Sequence, residues 1–160
     1  NYTKTQEIFA REANANLTST TGAGTLYKYT APLVVPQINA GMGVSDYGIV
    51  VGTGSVAVTI NDYQLGSPLT HGAGLNQLYY TPVAFEKLVT TTTEAYFICR
   101  RHFLNNSSGS ITLTESGIVG AGMNTVTTRI LMIRDVFPSS IAIPVLGYAE
   151  VRYKFGITTI

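Results

Sequence analysis

At 160 residues the chain holds one domain, or one domain with an arm, and enough side chains for a two-layer core. Charged residues make up 12% against 45% hydrophobic, with a formal net charge of +1, so there is no basic stripe for nucleic acid or acidic membrane. A single cysteine excludes an intrachain disulfide and a Cys-based metal site.

Residues 1–25 differ from the rest. Around Glu7, Ile8, Phe9, Arg11 and Glu12 a short helix is allowed, but the small polar run of residues 18–24 has nothing to bury. The expectation is therefore an N-terminal arm, or a short helix, that contacts a neighbouring subunit. No basic-then-apolar leader opens at Asn1-Tyr2-Thr3-Lys4, although a chain beginning after cleavage would look the same.

Residues 26–160 read as one β domain. Residues 27–38 alternate weakly and carry Pro32 and Pro36, which predicts an edge strand or a surface crossing. Residues 47–54 and 55–60 read as strand, glycine break, strand, followed by a turn at Asn61-Asp62-Tyr63. Residues 78–85 predict a strand with Pro82 at an edge or bulge. Residues 94–103, the loop at 105–109 and the alternating residues 110–115 together predict a β-hairpin. A strand at residues 129–136, a turn at Pro138-Ser139-Ser140, a short strand at 141–145 and a final strand at 150–157 complete the series. In the last, Val151, Tyr153, Phe155 and Ile157 fall on one face and Glu150, Arg152 and Lys154 on the other, the period of a half-buried strand. Short strands at this spacing predict an all-β, antiparallel β-sandwich, jelly-roll or immunoglobulin-like.

The polar residues form no catalytic pattern. The Gly-x-Gly pairs at 22–24, 41–43, 52–54, 72–74 and 120–122 lack the third glycine of a dinucleotide loop and read as turns and bulges. His71 and His102 are far apart and lack ligand spacing. Arg134-Asp135 reads as a strand-end ion pair. Glu115, after an alternating run and before Gly117, reads as a structural carboxylate accepting hydrogen bonds from a turn or pairing with an arginine. Cys99, between Phe97 and Arg101 at strand spacing, reads as a buried thiol. Asn1, Asn16, Asn105 and Asn106 open glycan acceptor triplets, which matter only in an exported chain. No catalytic residue, cofactor or metal is expected.

Three segments resemble a pattern in virion structural proteins of tailed bacteriophages. They are Gly48-Ile49-Val50-Val51-Gly52-Thr53-Gly54 with Asn61-Asp62-Tyr63-Gln64-Leu65 and Ser67-Pro68-Leu69; residues 103–118; and Ile133-Arg134-Asp135-Val136 with Tyr153-Lys154-Phe155. Ile118-Val119 departs from the Leu-aromatic pair of that pattern. Over residues 48–158 the resemblance implies a β-sandwich subunit of a capsid or tail, without catalytic residues.

The expected function is thus a non-enzymatic structural protein that assembles with copies of itself into a viral particle or filament, beside other virion proteins. Its candidate subunit interface is Ile8, Phe9, Tyr27, Tyr29, Tyr79 and Tyr80. Two alternatives stand beside it: a subunit of a cell-made extracellular filament or adhesive appendage, and a carbohydrate-binding module using exposed tyrosines. An outer-membrane barrel fits the length but not the shared face of Glu150, Arg152 and Lys154, nor the interrupting prolines.

Overall fold

The computed structural model describes residues 37–122 and 128–158. The predicted arm at 1–25, with Ile8 and Phe9, lies outside the described residues, as do Tyr27 and Tyr29. The described residues form no helix. They form nine strands: β1 (Gly48–Gly52), β2 (Thr70–His71), β3 (Gln77–Tyr80), β4 (Ala84–Phe85), β5 (Val89–Thr90), β6 (Glu94–Leu104), β7 (Ile111–Ala121), β8 (Arg129–Ile143) and β9 (Tyr148–Thr158).

Two sheets result, as a β-sandwich requires. One has the order β1-β7-β8, antiparallel throughout. The other is built around β6. One edge of β6 is lined in turn by β3, β4 and β5, and the opposite edge by all eleven residues of β9. Pro82 marks the break between β3 and β4, as expected for a residue without a ladder donor. The β2–β3 pair alone is parallel.

A single core joins the sheets. Ile49, Val51, Leu113 and Ile118 from the first meet Leu78, Tyr80, Cys99 and Phe103 from the second. The thiol of Cys99 is buried as expected, and burial pushes it up to about 11.

Three expectations are corrected. Residues 129–136 and 141–145 are not two strands parted by a turn at Pro138-Ser139-Ser140: β8 runs unbroken from Arg129 to Ile143, with its register against β7 shifting between Leu113 and Glu115, because Pro138 sits on an edge strand where no ladder donor is needed. Residues 55–60 are an exposed loop, not a strand, with Val56 73% and Ile60 100% exposed. The segment has the strand period but no neighbour to pair with among the described residues. Nor do residues 94–115 form a hairpin. β6 and β7 belong to different sheets, and Asn105–Gly109 carries the chain across between them. Asn105 decides this crossing. It is buried, and its Nδ2 donates to the carbonyls of Gly109 (2.8 Å) and Ile143 (2.9 Å). Its Oδ1 accepts from the Ser107 amide and hydroxyl. A side chain turned inward to hold the carbonyl at the end of the turn and another at the end of β8 bends the chain out of the sheet plane, where a two-residue hairpin turn would have kept it in.

In β9 the alternation holds in part. Val151, Tyr153 and Phe155 pack on the core and are half-buried, while Arg152 and Lys154 are exposed. Ile157 is 72% exposed, against expectation, because the strand there runs past the core.

Candidate assembly surface

One flank of the two-sheet body is closed by buried polar groups. Arg101 points inward from β6 and is fully buried. Its guanidinium meets no carboxylate. Instead Nε donates to Thr81 O (2.6 Å), one terminal nitrogen to Tyr47 O (3.3 Å) and Ile49 O (2.9 Å), and the other to Gly41 O (3.0 Å) and Val44 O (2.6 Å). All five donors of the fork are used, and the Tyr80 ring lies 4.8 Å from the guanidinium carbon. Burial pulls its pKa down to about 10, so it stays cationic at neutral pH. The free edge of β1 is thereby covered: Ile49 O accepts from Arg101, and Val51 O accepts from the Leu69 amide at 2.9 Å.

A second buried centre ties β7 to β8 on the outer face of the first sheet, beneath the loop of residues 53–67. Glu115, on β7, is fully buried. Its Oε1 accepts from the amides of Gly54 (3.0 Å) and Ser67 (2.8 Å), and its Oε2 from the Gly66 amide (3.0 Å) and Arg134 Nε (2.9 Å). Burial opposes ionisation, but three backbone donors and the arginine outweigh it and hold the carboxyl below its ordinary range. Arg134 continues to Asp62 (2.6 Å) and to the carbonyl of Val56 (3.0 Å). Thus Arg134 bonds across to Glu115 and Asp62, not to its neighbour Asp135 as expected; adjacent strand residues point to opposite faces. A Cβ on Gly54 would stand 2.5 Å from Oε1 of Glu115, so glycine here makes room for a carboxylate. This centre staples loop 53–67 at its base and presents Val56, Val58 and Ile60 to solvent.

The opposite flank is open. β8 pairs only with β7 and β9 only with β6, so among the described residues each leaves one long edge unpaired. The two edges lie together. Tyr153 of β9 bonds Ser116 of β7 at 2.7 Å and also reaches Asp135 of β8, and burial pushes its phenol above the ordinary range. Along this flank Met132, Ile133 and Phe137 of β8 and Val151, Tyr153 and Phe155 of β9 pack on the core yet stay partly exposed. Ile141, Val145, Leu146 and Tyr148 continue the apolar surface past the β8–β9 turn. An unpaired strand edge backed by apolar side chains is a template for another strand.

No family model, curated protein or solved structure matches this chain.

The face of the β6 sheet turned away from the core is polar. Glu150 of β9 takes Arg100 (3.0 Å), His102 (2.8 Å) and Arg152 (3.2 Å), and the Arg100 hydrogen bond leads in lowering its pKa. Arg152 also reaches Glu86 (2.8 Å), and Lys154 bonds Glu94 (2.9 Å). These pairs are partly exposed and contribute little to stability. They do fix the positions of the charges along β9.

Of the sequence-predicted interface residues, the two described ones separate. Tyr79 is half-buried, its hydroxyl 2.7 Å from Met42 Sδ and its ring beside His71. Tyr80 is a correction: it is fully buried, bonds Leu69 O at 2.6 Å and packs edge-on to Phe103. Two tyrosines in succession on a strand face opposite sides, and only one can be at the surface. His71 accepts the Tyr80 amide through Nδ1 at 3.1 Å. Asn105, whose amide nitrogen is buried and twice bonded, offers no glycan acceptor, whereas Asn106 is exposed. Among the described residues no group of three or more His, Cys, Asp or Glu side chains is placed to hold a metal ion, and no helix is long and apolar enough to cross a membrane. Sequence reasoning missed the two open edges, since which strand lies outermost is a property of sheet order.

Proposed function

We propose that this chain is a non-catalytic structural subunit that assembles with copies of itself, as a β-sandwich of jelly-roll or immunoglobulin-like type in a virion or filament. The observation that carries this reading is the asymmetry of the two flanks. One, along β1, is sealed by Arg101 and by the backbone of Ser67 and Leu69. The other offers β8 and β9 side by side, with half-covered apolar residues behind them.

The buried polar groups support a structural role, because their hydrogen-bonding capacity is spent on the chain's own backbone. The low charge of the chain agrees with a surface that meets protein. The resemblance at residues 48–158 favours a capsid or tail of a tailed bacteriophage as the setting. Negative-stain electron microscopy and sedimentation of the purified full-length chain test the reading. Rods, rings or shells are expected, and a monodisperse monomer at high concentration overturns it.

A further inference from the structure

We propose that the free edge of β9 pairs with β9 of a second copy, antiparallel, about a two-fold axis at Val151. The inference rests on the assembly reading above and specifies one of its contacts.

The edge is long and regular enough to pair. β9 keeps continuous register with β6 over eleven residues, without a bulge, and carries no proline. Its neighbour β8 is less suited, because it has two register irregularities and Pro138. The inner side chains of β9, Val151, Tyr153 and Phe155, are half-buried, and among the described residues no strand lies beyond them. Extending the sheet by one strand covers them.

Charge chooses the register. In an antiparallel pair about a two-fold axis, residues directly opposite lie on the same face, so inner meets inner and outer meets outer. The outer face of β9 carries Glu150, Arg152 and Lys154 in succession. An axis at Arg152 sets Arg152 against its own copy. An axis at Tyr153 sets Arg152 against Lys154 of the second copy, twice. An axis at Glu150 or Lys154 again opposes like charges. An axis at Val151 sets Glu150 against Arg152 of the second copy twice and opposes no like charges. It also places Lys154 opposite Tyr148 of the second copy, an exposed ring able to take a cation on its face. Axes further out, at Ala149 or Phe155, match no opposite charges. Only the Val151 axis therefore joins attraction to absence of repulsion.

The chain's one native thiol is buried, so introduced cysteines report cleanly. In full-length Val151→Cys the two sulfurs face each other across the axis, at a Cα separation of about 4.5–5.5 Å that a disulfide spans. Mild oxidation is expected to shift most of the chain to a disulfide-linked dimer on a non-reducing gel. Tyr148→Cys, whose copies stand about 20 Å apart along the ladder, is expected to stay unlinked within that pair. Arg152→Glu sets Glu150 against a glutamate twice and is expected to weaken dimerisation by about tenfold or more, with an unchanged circular dichroism spectrum. Particles that form while the thiol of Val151→Cys remains unlinked overturn this contact and leave the assembly reading standing. A monomer in which that introduced thiol resists alkylation shows the edge covered by the chain's own remaining residues, and also overturns it. A monomer in which it is freely alkylated overturns both.

Discussion

Replacing Glu115 with glutamine removes one charge and almost no volume, and the structure says what that costs. Four donors converge on the carboxylate: the amides of Gly54, Gly66 and Ser67, and Nε of Arg134. Each oxygen takes two of them. Whichever way the glutamine amide turns, its NH2 group faces two donors and can accept from neither. Each buried donor left without an acceptor costs about 1–3 kcal/mol. Arg134 also loses one of its two carboxylate partners, and breaking a buried ion pair costs about 3–5 kcal/mol. The two estimates describe the same loss, so Glu115→Gln is expected to destabilise the fold by about 3–5 kcal/mol. With a urea slope of about 2 kcal/mol/M, the unfolding midpoint falls by about 2 M. Native-state hydrogen exchange supplies the local reading: the amides of Gly54, Gly66 and Ser67 lose protection, while the amides bonded within the β6–β9 ladder keep theirs. A midpoint within about 0.5 M of wild type, with those three amides still protected, refutes the reasoning.

The same centre sets a pH dependence. Hydrogen bonds from Thr59 and then Arg134 hold Asp62 down at about 2 against an ordinary 3.8, and Glu115 is also held low. A carboxyl with a depressed folded-state value stabilises above its unfolded value and loses that stabilisation as pH falls through the folded one. The melting temperature is therefore expected to be flat at neutral pH and to drop between about pH 4 and 2; no drop by about pH 2 contradicts this. Gly54→Ala, which pushes a methyl group against Glu115, is expected to cost about 1–3 kcal/mol, whereas Gly41→Ala, with nothing within 4 Å of the added Cβ, stays within about 0.5 kcal/mol. Equal melting temperatures for the two variants count against the carboxylate pocket. Cys99, buried and raised to about 11, is expected to ignore a thiol reagent at about pH 8 until denaturant is added; rapid native labelling shows the core to be open.

The strand character of the chain was readable because period-two patterning is local. β6 and β9 lie where alternation places them, and Pro82 breaks its strand as its missing donor requires, whereas β7 runs on to Ala121 past the alternating residues 110–115 and β8 runs straight through Pro138-Ser139-Ser140. Glu115 was recognisable as a structural carboxylate accepting from turns, since few residue types satisfy several convergent amides. Partnership was not readable. Val56, Val58 and Ile60 alternate as well as any strand, yet pairing needs a neighbour, and among the described residues that segment has none. Arg134 sits next to Asp135 in sequence but bonds across to Glu115 and Asp62, because β-strand geometry separates sequence neighbours. The loop after β6 looked like a hairpin turn since nothing in Asn-Asn-Ser-Ser-Gly announces that the first asparagine turns inward. The candidate surface was the least legible part, being defined by which strands end up outermost.

Asn105 binds more than its own turn. Its amide nitrogen donates to Gly147 O at 2.9 Å, its carbonyl accepts from Leu146 at 2.8 Å, and its side chain holds Ile143 O. Two of the passages between the sheets, after β6 and after β8, are thus tied through one residue at one end of the molecule. Pulled apart, the two layers cannot part there one thread at a time. Separation is easier to start at the far end, where β6 begins at Glu94 and β9 finishes.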